Sequence, residues 1–175
     1  MYLGGIMKNR IIILLLSISF VVGQDYVGLG IGAISDGSME ILIDNTIPLQ
    51  GFQFNIEGAV VSDASGGIAG DLGYTVSLGV NNLVLGFHLD GKYIPPSYGV
   101  LTYLDVAPTM SSACLVDEII AVVWDGGFYE VNIGDCVTTG CDADCAGVCG
   151  GSAVEDCAGE CGGDAEVDEC GECNG

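Results

Sequence analysis

The residues best suited to chemistry are seven cysteines near the end of the chain. They are Cys141, Cys145, Cys149, Cys157, Cys161, Cys170 and Cys173. They lie in a tandem repeat: 144–151 recurs as 156–163 at an offset of 12, and 169–175 returns at an offset of 13 with one residue deleted. Thiols at such spacing can form disulfides or bind zinc as thiolates. Only Cys170 and Cys173 form a Cys-x-x-Cys pair and no histidine lies nearby, which favours disulfides of unknown connectivity over zinc.

The composition of this segment also favours disulfides. From Thr138 to Gly175 the chain has no leucine, isoleucine, aromatic or basic residue. Such a segment cannot bury enough apolar surface to offset its conformational entropy. Covalent cross-links are the physical substitute for a core, so we expect an acidic, disulfide-rich repeat tail over 138–175.

Two further cysteines, Cys114 and Cys136, stand apart from the tail and have 21 residues between them. A bridge between them closes the last strands of the folded region and contributes about 3 kcal/mol in the chain-entropy model. Removing this pair from nine cysteines leaves seven, an odd number that cannot all pair internally. The pattern predicts a truncated array whose repeats continue in a longer protein, with intermolecular pairing as the alternative.

The tail carries ten carboxylates, and calcium prefers such oxygen ligands. No Asp-x-Asp-x-Asp-Gly loop is present, and Asp142 with Asp144 is the nearest fragment. Solvated acidic side chains are the favoured interpretation, because charged residues on a small module are normally exposed. We therefore predict no metal and no cofactor, with calcium in the acidic tail as the alternative.

No catalytic residues are predicted. His88 is the only histidine, and no Gly-x-Ser-x-Gly nucleophile turn accompanies it. Asp117 and Glu118 are adjacent acids of the kind that are usually solvated, although paired carboxylates can hydrolyse glycosides. The glycine-rich 28–32 run is followed by a turn and a strand, so it lacks the context of a dinucleotide site. The sequence favours a protein that is not an enzyme.

Aromatic side chains are the candidates for ligand binding, because their faces stack on sugars or pack against proteins. Tyr93 and Tyr98 flank a Pro-Pro loop, where exposed aromatics are often functional. Phe128 and Tyr129 follow a Gly-Gly turn. Trp124 ends an apolar run and is better explained as a core residue.

These residues must be positioned by β-strands. In 39–44 and 52–56 apolar and polar side chains alternate, which places one set in a core. Similar runs, separated by turns, predict about nine strands at 26–34, 39–44, 52–56, 59–62, 74–78, 83–89, 99–106, 119–124 and 128–133. No helical periodicity is convincing. The pattern predicts an all-β, two-sheet sandwich over 24–137.

The N-terminus predicts a compartment. Basic Lys8 and Arg10 precede an apolar run over 11–22, typical of a cleaved signal peptide over 1–23. The run is too short to span a bilayer. The mature protein is then secreted, extracellular or at the cell surface, where disulfides persist. A formal charge of −21 excludes nucleic acid and anionic membrane surfaces as partners.

Several segments together resemble a cohesin-type domain. They are 39–54, then Leu85-Gly86-Phe87 with the Ile94-Pro95-Pro96 insertion, and the closing 125–131. The resemblance covers about 25–135 and implies a nine-stranded jelly-roll sandwich, related to some carbohydrate-binding modules. Cohesins bind calcium-loaded dockerin modules through one sheet face, so the resemblance implies an extracellular dockerin-like protein partner. The tail resembles the Asp-x-Cys-Gly-x-Cys repeats of secreted bacterial proteins.

Two functions therefore compete: a protein-interaction or scaffolding module on a disulfide-linked stalk, and a polysaccharide-binding module. A planar row of exposed rings favours sugar. A flat sheet face of mixed polar and apolar side chains, without such a row, favours a protein partner.

Overall fold

The computed structural model describes residues 25–122, 128–129 and 131–173, and these residues form strands almost throughout the sandwich. The strands are β1 (Val27–Ser35), β2 (Ser38–Asn45), β3 (Leu49–Glu57), β4 (Ala59–Ser65), β5 (Thr75–Leu78), β6 (Leu83–Phe87), β7 (Ser97–Pro108), β8 (Ser112–Val122), β9 (Phe128–Tyr129), β10 (Val131–Ile133) and β11 (Val137–Thr138). One short helix, α1 (Gly67–Asp71), follows β4.

The strands form two sheets. The first has the order β10-β1-β2-β7-β4, and the second has the order β11-β8-β3-β6-β5, with β9 paired to β8. Neighbours are antiparallel except β1 and β10, which run parallel. The architecture is an all-β sandwich of two sheets, so the predicted fold class is confirmed.

The core lies between β2 of the first sheet and β3 of the second. Met39, Ile41 and Ile43 alternate with half-buried residues along β2, and Phe52 and Phe54 do the same along β3. Each of these five side chains is at most 1% exposed. The period of two along the chain therefore becomes one buried face on each sheet.

A buried amide fixes the connection from β2 to β3. The side chain of Asn45 donates to the carbonyl oxygens of Ile47 at 2.6 Å and Pro95 at 3.1 Å. Its Oδ1 accepts from the backbone N–H of Ser97 at 3.1 Å. A buried polar group is tolerated only when its hydrogen bonds are made, and here they hold the Pro-Pro loop against the strand end.

Tyr74 is a second buried polar anchor. Its hydroxyl lies 2.9–3.2 Å from three backbone carbonyl oxygens, those of Lys92, Leu49 and Gln50. The ring stacks near Phe52, with centroids 6.4 Å apart. The hydroxyl therefore fastens the 88–96 loop to the start of β3.

The structure corrects several element boundaries. β4 runs to Ser65, whereas a loop was expected from Asp63, and a five-residue helix follows it. β8 begins at Ser112 instead of Ile119, because the serine-rich stretch pairs with β3 and β11 despite its polarity. The final expected strand, 128–133, is divided between β9 in one sheet and β10 in the other.

The expected signal peptide over 1–23 and Trp124 lie outside the described residues. Across the part of the chain that is described, no helix has the length and apolar character needed to cross a bilayer.

Candidate functional site

The outer side of the second sheet carries an apolar ridge along β6. Val84 and Gly86 of that strand point into the core, so Leu83, Leu85 and Phe87 project outward. Leu85 is 37% exposed. Strand pairing fixes what lies on either side of the ridge.

The neighbours of the ridge are small or amide side chains. In the register, Leu85 lies between Gln53 of β3 and Ser77 of β5. Thr75 is beside Phe87, and Asn55 is beside Leu83. We call this surface the β6 face and define it by Gln53, Asn55, Thr75, Ser77, Leu83, Leu85 and Phe87.

The β6 face contains no charged side chain, although the protein carries a formal charge of −21. Removing charges from water is costly, so an uncharged face with an apolar centre is inexpensive to cover. The amides of Gln53 and Asn55 provide hydrogen-bonding groups beside that centre. The face thus mixes polar and apolar side chains, and Phe87 is the one ring among its seven defining residues.

Tyr93 and Tyr98, both proposed as ligand-binding residues, are exposed but lie apart. Tyr98 is 85% exposed and projects from β7 of the first sheet, opposite Asp44 of β2. Tyr93 is 51% exposed and precedes Ile94, which bridges to Leu49 of the second sheet. The two residues are thus placed by different sheets, Tyr98 by the first and Tyr93 by the loop beside the second. The backbones of Phe128 and Tyr129 pair with β8, and their side chains lie outside the description.

Tyr98 borders an open groove on the first sheet, with a volume of about 310 Å³. Gly28 and Gly30 line the groove with backbone, and Leu42 and Ile133 add apolar surface. No local sequence pattern indicates this groove, because β10 and β7 are brought beside β1 and β2 only by long-range pairing.

His88 is a turn residue in this structure. Its ring meets the Tyr74 ring edge-on with centroids 5.5 Å apart. Its Nδ1 accepts from the backbone N–H of Asp90 at 3.0 Å. Both contacts serve the 88–91 turn, and neither supplies a nucleophile with a base.

The structure forms four disulfides among the described residues. Cys114 bonds to Cys136, with Cα atoms 4.4 Å apart. In the tail the pairs are Cys141–Cys149, Cys145–Cys161 and Cys157–Cys173. Cys170 is exposed and unpaired within the described range. Four bridges fit an oxidising compartment.

The backbone pairing in the tail shows a constant period of 12 residues. Isolated β-bridges pair Ala143 with Cys149, Glu155 with Cys161, and Val167 with Cys173. The offset of 13 expected for the last repeat is therefore wrong. The backbone keeps its period, and the first cysteine of the last repeat is displaced by one position to Cys170.

Each repeat is organised by one aspartate. Asp144 Oδ1 accepts from the N–H groups of Ala146 and Val148, and Oδ2 accepts from Ala153, each at 3.0 Å. Asp156 and Asp168 make the same Oδ1 contacts to residues two and four positions further on. These aspartates are structural acceptors, not simply solvated charges as the sequence suggested.

The acceptor role changes the acidity of two of these groups. The hydrogen bond from Val148, followed by that from Ala153, holds the pKa of Asp144 below its ordinary value. The hydrogen bonds from Glu160 and Ala165 lower the pKa of Asp156 in the same way. Backbone N–H donors stabilise the charged carboxylate more than the neutral acid.

The first repeat contacts the sandwich at the loop before β8. Ser111 N–H donates to the Gly147 carbonyl at 2.8 Å, and Cys149 N–H donates to the Thr109 carbonyl at 3.0 Å. Thr139 Oγ1 donates to the Met110 carbonyl at 2.7 Å. The tail thus begins as a docked extension of the second sheet.

No group of three potential metal ligands occurs within 25–122, 128–129 and 131–173. The prediction of no metal and no cofactor, with calcium in the acidic tail as the alternative, stays a prediction.

The described residues define the class of the protein as an all-β sandwich of two sheets with a disulfide-linked repeat tail. No model of a known protein family matches the sequence, and no curated protein matches it.

Two solved structures are similar to the chain. One is a non-cellulosomal cohesin from the hyperthermophilic archaeon Archaeoglobus fulgidus, with a TM-score of 0.46 and 16% identity over 62% of this chain and 86% of that chain. The other belongs to a CaDoc0917–CaCohA2 complex, with a TM-score of 0.47 and 16% identity over 64% of this chain and 98% of that chain. At this identity, no binding residue transfers from either structure.

Proposed function

We propose that this protein is a non-enzymatic, extracellular or cell-surface module for protein–protein interaction, cohesin-like in type, with a dockerin-like protein as its partner. The partner binds the β6 face. The observation that carries the proposal is the absence of charge on this face, together with its apolar ridge, in a strongly acidic chain. The sequence resemblance described above supports the class of partner.

The physical reason is the cost of desolvation. A partner that covers Leu83, Leu85 and Phe87 gains about 25 cal/mol per Å² of apolar surface removed from water. The partner does not have to remove water from a charged side chain of this face in order to bind. Gln53 and Asn55 then fix the register of the partner through hydrogen bonds.

A charge at the centre of the ridge tests the proposal. Leu85→Asp places a carboxylate between Gln53 and Ser77, and it leaves the core residues of β6 unchanged. The matched control is Val60→Asp on β4 of the first sheet, where the side chain is 51% exposed. We expect both variants to fold, which circular dichroism checks.

The binding experiment starts from the native secretome. A protein captured by the full chain is identified, purified and titrated against the three chains by calorimetry. Leu85→Asp is expected to weaken binding at least about tenfold, the effect of about 1.4 kcal/mol. Val60→Asp should bind as the original chain does. Equal affinity for Leu85→Asp and the original chain contradicts the proposed face.

A polysaccharide is the second candidate ligand, favoured by the exposed Tyr98 ring beside the groove on the first sheet. Affinity electrophoresis against a panel of soluble polysaccharides separates the two functions. Retardation that is lost in Tyr98→Ala and kept in Leu85→Asp assigns the groove to sugar. No retardation, together with a captured protein sensitive to Leu85→Asp, supports the interaction module.

A further inference from the structure

The tail bridges overlap along the chain. Cys145 lies inside the loop closed by Cys141 and Cys149, and its own bridge reaches forward to Cys161. Cys157 lies inside that second loop, and its bridge reaches forward to Cys173. Each loop therefore begins before the previous loop has ended.

This overlap has a topological result. Every peptide bond between Cys141 and Cys173 is spanned by at least one disulfide. A cut at any one of these bonds leaves the two pieces joined through sulfur. Bridges placed end to end would leave the bonds between neighbouring loops unprotected.

The repeat explains why the overlap is regular. The carboxylate of one aspartate in each repeat gathers the N–H groups two and four positions further on into a tight turn. This turn recurs every 12 residues, whereas the two longer bridges each span 16 residues. A bridge longer than the period must overlap the next bridge.

We infer that the repeat segment is a protease-tolerant covalent tether, which keeps the sandwich attached to the far end of the repeats, at Cys173, after the backbone between them has been cut once. The inference rests on connectivity, and it is independent of which ligand the sandwich binds. A secreted interaction module that works among extracellular proteases gains attachment from such a segment without needing a buried core.

A glutamate-specific protease tests the inference on the full chain. Glu155, Glu160 and Glu166 are exposed and lie within the spanned segment. Intact mass is measured without and with reductant after digestion. Digestion is stopped while each tail carries at most one cut, because cuts at all three glutamates would separate the chain with its bridges intact. We expect the unreduced chain with a single cut to stay in one piece, heavier by one water, and to separate only on reduction.

A matched pair of variants makes the test specific. Cys145→Ser combined with Cys161→Ser removes the middle bridge and leaves only the bonds from Cys149 to Cys157 unspanned. Glu155 lies in that window, so we expect this variant to release the end of the tail without reductant. Adding Glu155→Gln removes the cleavage site in the window and should restore attachment.

Release of tail fragments from the unreduced original chain after a single cut overturns the inference. So does a double serine variant that is cut at Glu155 and yet stays in one piece without reductant. If the tail stays in one piece but Leu85→Asp binds the captured protein as tightly as the original chain does, only the proposed function is contradicted, so the two failures are distinguishable.

Discussion

At the scale of single residues, the structure uses a few buried polar groups as anchors. The hydroxyl of Tyr74 contacts carbonyl groups from two separate segments, the start of β3 and the 88–96 loop. Burial raises the pKa of this hydroxyl to about 12, and a backbone hydrogen bond at Ile94 acts in the opposite direction. The neutral phenol is the form that the fold requires.

Replacing Tyr74 by phenylalanine removes the anchor and keeps the ring. We expect Tyr74→Phe to lower the free energy of unfolding by about 1–2 kcal/mol, because buried carbonyl groups lose a donor. Urea denaturation at neutral pH measures this difference. An unchanged midpoint would show that water replaces the hydroxyl without cost.

The raised pKa of Tyr74 also predicts a dependence on alkaline pH. The folded state holds the phenolic proton more tightly than the unfolded state, whose pKa is near 10. The stability that this adds is fully present below pH 10 and is lost as pH rises towards 12. Tyrosinate absorbance is followed as pH is raised. The original chain should show an ionisation step above pH 10 that is missing in Tyr74→Phe.

The tail aspartates predict a dependence on acidic pH of the opposite sign. The pKa of Asp144 in the folded tail lies below its ordinary value of 3.8, mainly because Val148 N–H donates to its carboxylate. Its contribution to the turn is present above pH 3.8 and is lost as pH falls through the lowered value.

Amide exchange measured by NMR checks this prediction. We expect the protection of the Val148 amide to fall in acid while the disulfides stay intact. In Asp144→Asn the carboxylate is absent, so the acid-dependent change at Val148 should disappear. The equivalent amide of Glu160, held by Asp156, is the internal control and should keep its acid response.

At the scale of elements, the packing of β3 against β6 depends on a glycine, Gly86, which leaves room for a side chain of β3. Phe52 is paired with Gly86, and a Cβ added at Gly86 would overlap the Phe52 ring. The ring also lies 6.0 Å from that of Phe54, centroid to centroid. Glycine at this position lets a large aromatic side chain fill the core below the β6 face.

Gly86→Ala is therefore expected to destabilise the sandwich by about 1–3 kcal/mol, the usual cost of overpacking a core. Gly30→Ala in β1 is the matched control, since nothing lies within 4 Å of a Cβ built there. Urea denaturation of both variants compares them. A similar loss in the two would attribute the effect to the strand backbone and not to contact with Phe52.

The alternating strands could be predicted from the sequence because their period is local. The core positions of β2 and β3 follow from residues two apart. The first half of β8 is hard to predict because its alternation is short: only Ala113 and Leu115 are buried. Asp117, with a positive φ of 54°, then interrupts it. Helix α1 was missed because five residues with two glycines carry no helical period.

The candidate sites could be predicted only in part. Tyr98 was found from its place beside the Pro-Pro loop, but the groove beside it depends on strands distant in sequence. The β6 face likewise depends on which strands flank β6. The disulfide partners depend on the turns made by Asp144 and its equivalents, and spacing alone does not reveal those turns.

At the scale of the whole molecule, acidic side chains are concentrated in the tail and are absent from the β6 face. Ten of the 24 acidic residues lie in the 38-residue tail, whereas the β6 face has none. A strong net charge keeps a protein soluble and makes its copies repel one another. The uncharged face is then the region where contact with another protein is least opposed.

The overlapping bridges also set how far the tail can be drawn out under tension. The shortest covalent route from Cys141 to Cys173 crosses three bridges and twice runs backwards over four residues, from Cys149 to Cys145 and from Cys161 to Cys157. At full extension that route measures about 45 Å, against about 110 Å for the same segment after reduction. Tension on the oxidised protein is thus carried by the three bridges and two short reversed stretches of chain, and the distance from Cys141 to Cys173 cannot exceed about 45 Å.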